Sequence, residues 1–476
     1  MKSKENNKRA ITYDKMIRIL LAIFIYFSFL LYPMGGLYIG YERLKLYVIE
    51  MVLFCIFLTI TMNREIFKFI KEILLYKTKR KDKIGLLLIW NILLYISWAC
   101  LSLLWSNDKV STLVSLSKLV VMIYFSFCVL IYMNYYGVQA AKVILGSLLI
   151  TVVLLLGIKI YKIINVLGTS YFLMMLKTKQ VQSGNPIYSL FIYKVFATPP
   201  LGNSQNVTDS LIISYIGISI LVYLQYKDNL NVRFYKFLLV STAVIGTMQL
   251  YIGISKTAFL SLCLLIFFLL IGYLIYKEKS ILYLGCILIF INSLILLLNP
   301  FNIRNAVTER FSVLTTLKLS RVEEQKTQRE DVSITSRLEL WKEALKIFEN
   351  HKVCGSGYRS NKALYLRKYK VDNPHNIYLQ TLSELGIIGF TFLVSIIIGW
   401  LLLAIKAIRK NQYILLCIGL IFIYFFRGLN GWQFEELDIW LLMFLAIYLY
   451  VKYFTIKIYK DRRTGYERCS CFNSSL

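Results

Sequence analysis

The sequence predicts an all-α fold, a polytopic transmembrane helical bundle of about twelve spans. One partly helical polar loop separates the ninth and tenth. Three observations carry this. Of the 476 residues, 58% are hydrophobic. The apolar residues gather in runs of roughly 20, long enough to cross a hydrocarbon core of about 30 Å. The runs lack the alternation of barrel strands, and lipid admits only helices or closed barrels. The whole chain, 1–476, therefore reads as a single integral-membrane domain.

Charge separates the two sides. The chain carries 55 Lys and Arg against 26 Asp and Glu, a formal +29. These cations do not point to nucleic acid, because they cluster in short loops between apolar runs, where a basic excess marks the cytoplasmic side. The nine cysteines form no framework: Cys55, Cys100, Cys128, Cys263, Cys286 and Cys417 lie in apolar runs, and Cys354 stands alone. Cys469 and Cys471 make only a C-x-C pair, too little for a structural zinc site. The polar, basic N-terminus leads straight into a full-length span, unlike a cleaved signal peptide.

In order, the spans are Ile17–Pro33, Leu46–Met62, Ile84–Trp105, Leu113–Met133, Val143–Ile163, Leu211–Tyr226, Phe237–Ile252, Thr257–Tyr276, Ile281–Leu298, Ile387–Ala404, Tyr413–Phe426 and Ile439–Phe454. The second is followed by the basic stretch Arg64–Lys83, and a long loop to Ser210 precedes the sixth. With both termini inside, the inner loops hold Arg64–Lys83, Arg233, Lys236, Lys406, Arg409, Lys410 and the tail 456–476, while the short outer loops hold few cations. The loop 300–382 then lies outside. No internal repeat stands out, which argues against a transporter of duplicated halves.

That loop is the longest polar segment and holds both histidines, His351 and His375. Ser336-x-x-Glu339 reads as a capping box opening a helix. Leu338, Trp341, Leu345 and Phe348 follow at helical spacing, a face for the span ends or the membrane surface. Asn350 and Gly355 read as stops. Gly355-Ser356-Gly357 permits close approach of its own backbone to a neighbour or a phosphate. Pro374 can open a helix, which puts His375 in its first turn, where the positive helix end disfavours imidazolium. A neutral imidazole there can act as a general base; capping the helix or meeting a headgroup is the plainer role. Three polar groups sit at predicted outer span ends: Trp105-Ser106-Asn107-Asp108, Ser255-Lys256-Thr257 and Arg427. Each cation suits either an anion site or ordinary snorkelling.

These residues resemble the O-antigen ligase and polysaccharide polymerase family of integral-membrane glycosyltransferases. The shared pattern runs Arg337, Trp341, Gly355-x-Gly357, His375-Asn376-x-Tyr378, then Glu384-x-Gly386-Ile387-Ile388-Gly389, with ten residues between His375 and Gly386. Leu104-Trp105-Ser106 and the turn with Pro200 and Asn203 also look like the family. The chain departs from it at Ser255-Lys256, where members usually carry Ser-Arg; Leu260 is in its place. Lysine keeps the charge but loses the bidentate fork.

The resemblance implies a metal-independent, cofactor-free glycosyltransferase that polymerises undecaprenyl-pyrophosphate-linked repeat units into a surface polysaccharide (capsule, O-antigen or exopolysaccharide). Its setting would be the bacterial cytoplasmic membrane. His375 would be the base, and Lys256, Arg337 and Arg427 would hold the pyrophosphate. Trp341, Gly355, Gly357, Asn376, Glu384 and Gly386 would be structural. The partners would be the lipid-linked oligosaccharide, membrane lipid, and a flippase and chain-length regulator. A ligase differs only in its acceptor, a lipid core or a protein; the modest loop and the altered Ser-Arg turn favour a polymerase. A flippase or other transporter without chemistry predicts charges deep in the spans and short loops on both sides; apart from their boundaries the spans here hold few charges, and the long loop is one-sided.

Overall fold

A computed structural model describes residues 2–34, 38–39, 44–64, 66–67, 83–167, 205–229, 231–253, 256–298, 331–369, 371–407, 412–430 and 436–449. The turn at Pro199–Asn203, most of the Arg64–Lys83 stretch, the first part of the 300–382 loop and the tail 456–476 lie outside these residues.

The described chain is an all-α bundle with a helix at each position where the sequence predicts a span. α1 is Lys2–Met34, joined through two-residue antiparallel strands (Tyr38–Ile39, Leu44–Lys45) to α2, Leu46–Thr61. Then come α3 (Lys83–Leu101), α4 (Lys109–Tyr136), α5 (Val138–Leu167), α6 (Gln205–Tyr226), α7 (Val232–Gly253), α8 (Lys256–Tyr276) and α9 (Lys279–Leu298). The polar loop contributes α10 (Asp331–Asn350) and α11 (Lys362–Tyr369), and α12 (Ile377–Ala407), α13 (Gln412–Arg427) and α14 (Leu437–Leu449) follow. Among the described residues, seven helices are long and apolar enough to cross a membrane by length and composition. α2, α13 and α14 contain shorter apolar helices.

The helices sort by burial. α6 is central: every residue from Leu211 to Leu224 is buried. The outer helices keep large apolar side chains exposed, among them Ile19, Phe27, Trp90, Leu101, Phe290 and Leu297. Such an outward surface suits lipid, which solvates it as well as protein does. Small residues bring the inner helices close: a Cβ on Gly217 would meet Leu420, and one on Gly419 would meet Phe268. Local chemistry sets the ends. Asp108 caps α4 by accepting from the Ser111 N–H at 3.0 Å, and Gly137, at φ 52°, ends that helix.

Contacts between antiparallel neighbours fix which ends lie together. Leu88 lies against Gly399 and Trp98 against Leu385, so the end of α3 meets the start of α12. Gly272 faces Leu416 and Phe268 faces Gly419, so the start of α8 lies level with the end of α13. Tyr378 Oη donates to the Phe425 carbonyl at 2.7 Å, joining the start of α12 to the end of α13. The Leu437 N–H donates to Tyr32 Oη at 3.0 Å, bringing in the end of α1. Turns that the charge pattern assigns to one side thus gather at one end of the bundle, where the polar loop packs.

One expectation for this helix needs correction. Ser336 does not cap a helix. α10 already runs from Asp331, so Ser336 and Glu339 lie inside it. Ser-x-x-Glu is only a local pattern, and the preceding Asp-Val-Ser-Ile-Thr extends the helix through it. The stripe Leu338, Trp341, Leu345 and Phe348 is the more exposed of two on this helix. Leu340, Ala344 and Ile347 are buried while Leu338 and Leu345 are exposed. The helix carries two apolar stripes, and the one that meets Tyr365 of α11 is the buried one.

Candidate functional site

The site end is organised by a knot of backbone. Gly355-Ser356-Gly357 crosses a break in α12 at Gly386, where φ is 67° and ψ −167°. Only glycine readily takes that conformation. The Ser356 N–H donates to the Ser383 carbonyl (3.1 Å) and the Gly357 N–H to the Glu384 carbonyl (2.8 Å). The Ile387 N–H donates to the Lys352 carbonyl at 2.9 Å. The strands of this knot pass so closely that a Cβ on Gly355 would overlap the Glu384 backbone, and one on Gly386 the Val353 carbonyl. A Cβ on Gly357 would overlap Ser106. The close approach permitted by the Gly-x-Gly is therefore to a neighbouring backbone.

The Leu104-Trp105-Ser106 corner locks the knot to α3. Trp98 and Trp105 donate their indole N–H groups to the carbonyls of Leu385 (3.0 Å) and Cys354 (3.2 Å). The Asn107 N–H donates to the Ser356 carbonyl at 3.1 Å. The Tyr358 N–H donates to Ser102 Oγ at 2.9 Å, and Thr112 Oγ1 donates to the Tyr358 carbonyl at 2.6 Å. Motif pieces far apart in sequence thus form one assembly.

The knot presents a line of polar groups that ends at His375. Glu384, buried in α12, accepts from the Arg359 N–H (2.9 Å) and from Gln380 Nε2 (3.1 Å) through the same oxygen. Arg359, 2% exposed, pairs through Nη2 with Asp372 Oδ2 at 3.1 Å. Asn373 Nδ2 donates to Asp372 Oδ1 at 2.6 Å, and Asn373 Oδ1 accepts from the His375 N–H at 2.7 Å. Arg359 and His375 both have positive φ, 58° and 53°. For non-glycine residues such conformations cost about 1–3 kcal/mol and persist only where surrounding structure holds them.

His375 is not in the first turn of a helix. α12 begins at Ile377, and Asn376 is its cap: Asn376 Oδ1 accepts from the N–H groups of Tyr378 (3.0 Å) and Leu379 (3.1 Å). Pro374 and His375 form a bend before that cap. The imidazole is nevertheless disfavoured as a cation. Burial, then the nearby Arg337 guanidinium, lower its pKa from the usual value, against the opposing charge of Asp372. Asp372 itself is pushed up by burial, but Arg359, Lys362 and Asn373 win and hold it below the usual carboxylate range.

Arg337 of α10 lies near enough for its charge to act on the His375 imidazole, and burial pulls the guanidinium pKa below its usual value. Trp341, one turn on, is partly buried against Leu340, Ile347 and Tyr365. Arg427 ends α13 on the neighbouring side, tied in by Tyr378. It is buried rather than snorkelling, with its guanidinium 4.5 Å from the Tyr424 ring centroid and 3.8 Å from Glu436. Lys256 is the first residue of α8, at the same end; its side chain lies outside the described residues. His351 follows the end of α10 as an exposed residue in the turn leading to the knot.

Sequence reading missed Arg359 and Asp372. Each sits beside a motif it did name: Arg359 two residues past Gly357, Asp372 three before His375. The only local signal was a charge of each sign next to a turn, too common to single out. Among the described residues, no three His, Cys, Asp or Glu side chains converge as a metal site would need.

Residues 241–394 match the family described as O-antigen ligase. The match contains Lys256, Arg337, the glycine knot and His375, and stops short of Arg427. No curated protein matches the chain. Together with the apolar helices, the match supports a multi-pass membrane protein with an O-antigen ligase or polymerase type of function.

Proposed function

We propose that this chain, which matches the O-antigen ligase family over residues 241–394, is a polysaccharide polymerase. It joins undecaprenyl-pyrophosphate-linked oligosaccharide repeats at the outer face of the cytoplasmic membrane. The single observation that carries the reading is the strained bend that holds His375 at the polar end of an apolar bundle, its N–H bonded to Asn373 Oδ1 at 2.7 Å, where burial and the charge of Arg337 disfavour the imidazolium. In the reaction, an acceptor-sugar hydroxyl attacks the anomeric carbon of the donor. The glycosidic C–O bond forms, the bond to the pyrophosphate oxygen breaks, and His375 takes the hydroxyl proton. A base must be unprotonated to do this, which the lowered pKa favours. The leaving pyrophosphate needs its growing charge neutralised, and Arg337, Arg427 and Lys256 supply cations without a metal.

The lipid tail lies among the spans, the repeats pass under the 300–382 loop, and both termini are cytoplasmic. A flippase supplies the donor and a chain-length regulator limits the product. Cysteine labelling checks the sidedness: an impermeant reagent should reach a cysteine at Lys362 and not one at Lys79. The chemistry is tested by comparing glycan length in His375→Ala and His351→Ala cells at matched protein level. His375→Ala should cost about a hundred-fold to ten-thousand-fold in rate and abolish long glycan. His351→Ala should stay near normal. Near-normal glycan in both removes His375 from the reaction. Full-length glycan that stays lipid-linked in a deletion strain makes the chain a ligase instead.

A further inference from the structure

We propose that Arg359 and Asp372 are positioning residues for His375: their pair holds the Asn373–His375 bend in its left-handed conformation and sets the charge around the imidazole. The inference rests on His375 being the base. The geometry is a continuous relay. Glu384 fixes the Arg359 backbone by accepting its N–H at 2.9 Å. The Arg359 guanidinium reaches Asp372 twice, Nη2 to Oδ2 at 3.1 Å and Nη1 to the carbonyl oxygen at 3.4 Å. The other Asp372 oxygen accepts from Asn373, whose own oxygen takes the His375 N–H. Only three non-glycine residues among those described have positive φ, and two of them, Arg359 and His375, are the ends of this relay. A merely structural pair has no need to bend the base itself.

Two groups of opposite sign act on the imidazole. Arg337 comes from α10 and Asp372 from the bend. Asp372 in turn faces Arg359 and Lys362. Asp372 therefore keeps the base from being weakened too far by Arg337. Removing its charge should move the acidic limb of the rate profile to lower pH, because less proton affinity remains. Removing the Arg337 charge should move that limb to higher pH. Simple loss of packing gives no such opposite pair of shifts.

The test uses the full chain purified in detergent, with a lipid-linked oligosaccharide as substrate and pH varied. Asp372→Asn should lower kcat about ten-fold to a hundred-fold with little change in KM, as expected when a catalytic group is misaimed. Its limb should fall and that of Arg337→Gln should rise. The chain has only two histidines, so NMR titration of labelled imidazoles, assigned with His351→Gln, reads the same shifts without turnover. If Asp372→Asn does not accumulate, Arg359→Lys carries the test. It keeps the charge, removes the two-point grip, and should lower kcat alone. If His375→Ala removes activity while Asp372→Asn and Arg359→Lys leave kcat and the His375 titration unchanged, the positioning role is wrong and the base stands. If His375→Ala retains activity and the limb, the base reading itself fails.

Discussion

Arg359 and Arg427 are both buried arginines that face a carboxylate, and they are held in different ways. Arg359 makes a hydrogen-bonded pair with Asp372 at 3.1 Å, and its own N–H is pinned to Glu384. Arg427 stands 3.8 Å from Glu436, beyond hydrogen-bond length, with its guanidinium 4.5 Å from the Tyr424 ring centroid. A guanidinium engaged by short bonds has its fork committed. One held by a ring and a longer pair can turn toward a phosphate at smaller cost. Burial of a cation near the candidate site is thus a weak guide to its role. The length and number of its bonds divide the arginine that builds the site from the one suited to hold substrate.

Four substitutions sharpen that division. The largest effect belongs to the knot on which Arg359 depends. Gly386→Ala forces an alanine into a backbone region only glycine favours and drives its Cβ into the Val353 carbonyl. The cost should be about 3 kcal/mol or more, and little protein should accumulate in membranes by immunoblot. Next comes Arg359→Gln, which strips Asp372 of its partner. Breaking a buried pair costs about 3–5 kcal/mol, and here about 2–3 because Asp372 is partly exposed. Thermal unfolding in detergent should show a clear drop. Arg427→Gln should unfold within a few degrees of wild type yet lower polymer synthesis at least ten-fold; an equally large drop in unfolding temperature would make it a second structural arginine. Lys256→Arg should be smallest. Restoring a bidentate fork at the start of α8 should leave folding unchanged and raise donor use about two-fold or less. A loss of activity there would show that the position is shaped for lysine.

The sequence told unequal amounts about these parts. The spans were legible because bilayer thickness is written into run length, and each predicted span coincides with a helix among the described residues. The knot glycines, Asn376 and Glu384 were legible through the motif, although their partners were not. That Gly357 needs Ser106, or Gly386 the Val353 carbonyl, is a fact about chain segments packed across the fold. The Ser336 cap failed for a related reason: a four-residue pattern cannot tell a helix start from a helix interior. Which stripe of α10 is buried was not legible, because both are apolar and only docking on α11 and α12 selects Leu340, Ala344 and Ile347. Arg359 and Asp372 needed tertiary structure altogether, since nothing in their neighbourhood announces that they will pair.

The hydrogen bond from Trp98 to Leu385 also orders events during synthesis. Its two residues are 287 apart in sequence. The hydroxyls of Ser102 and Thr112 likewise wait for Tyr358, about as far away. At roughly 5–20 residues per second, α3 is in place for on the order of tens of seconds before its main packing partner exists. During that time, its inner face must be shielded by lipid, by earlier helices or by an insertion factor. A chain released before α12 emerges would keep α3 and the indoles of Trp98 and Trp105 without their final acceptors. Such fragments should be cleared quickly by membrane quality control, and a separately supplied C-terminal piece beginning at α10 should rescue them.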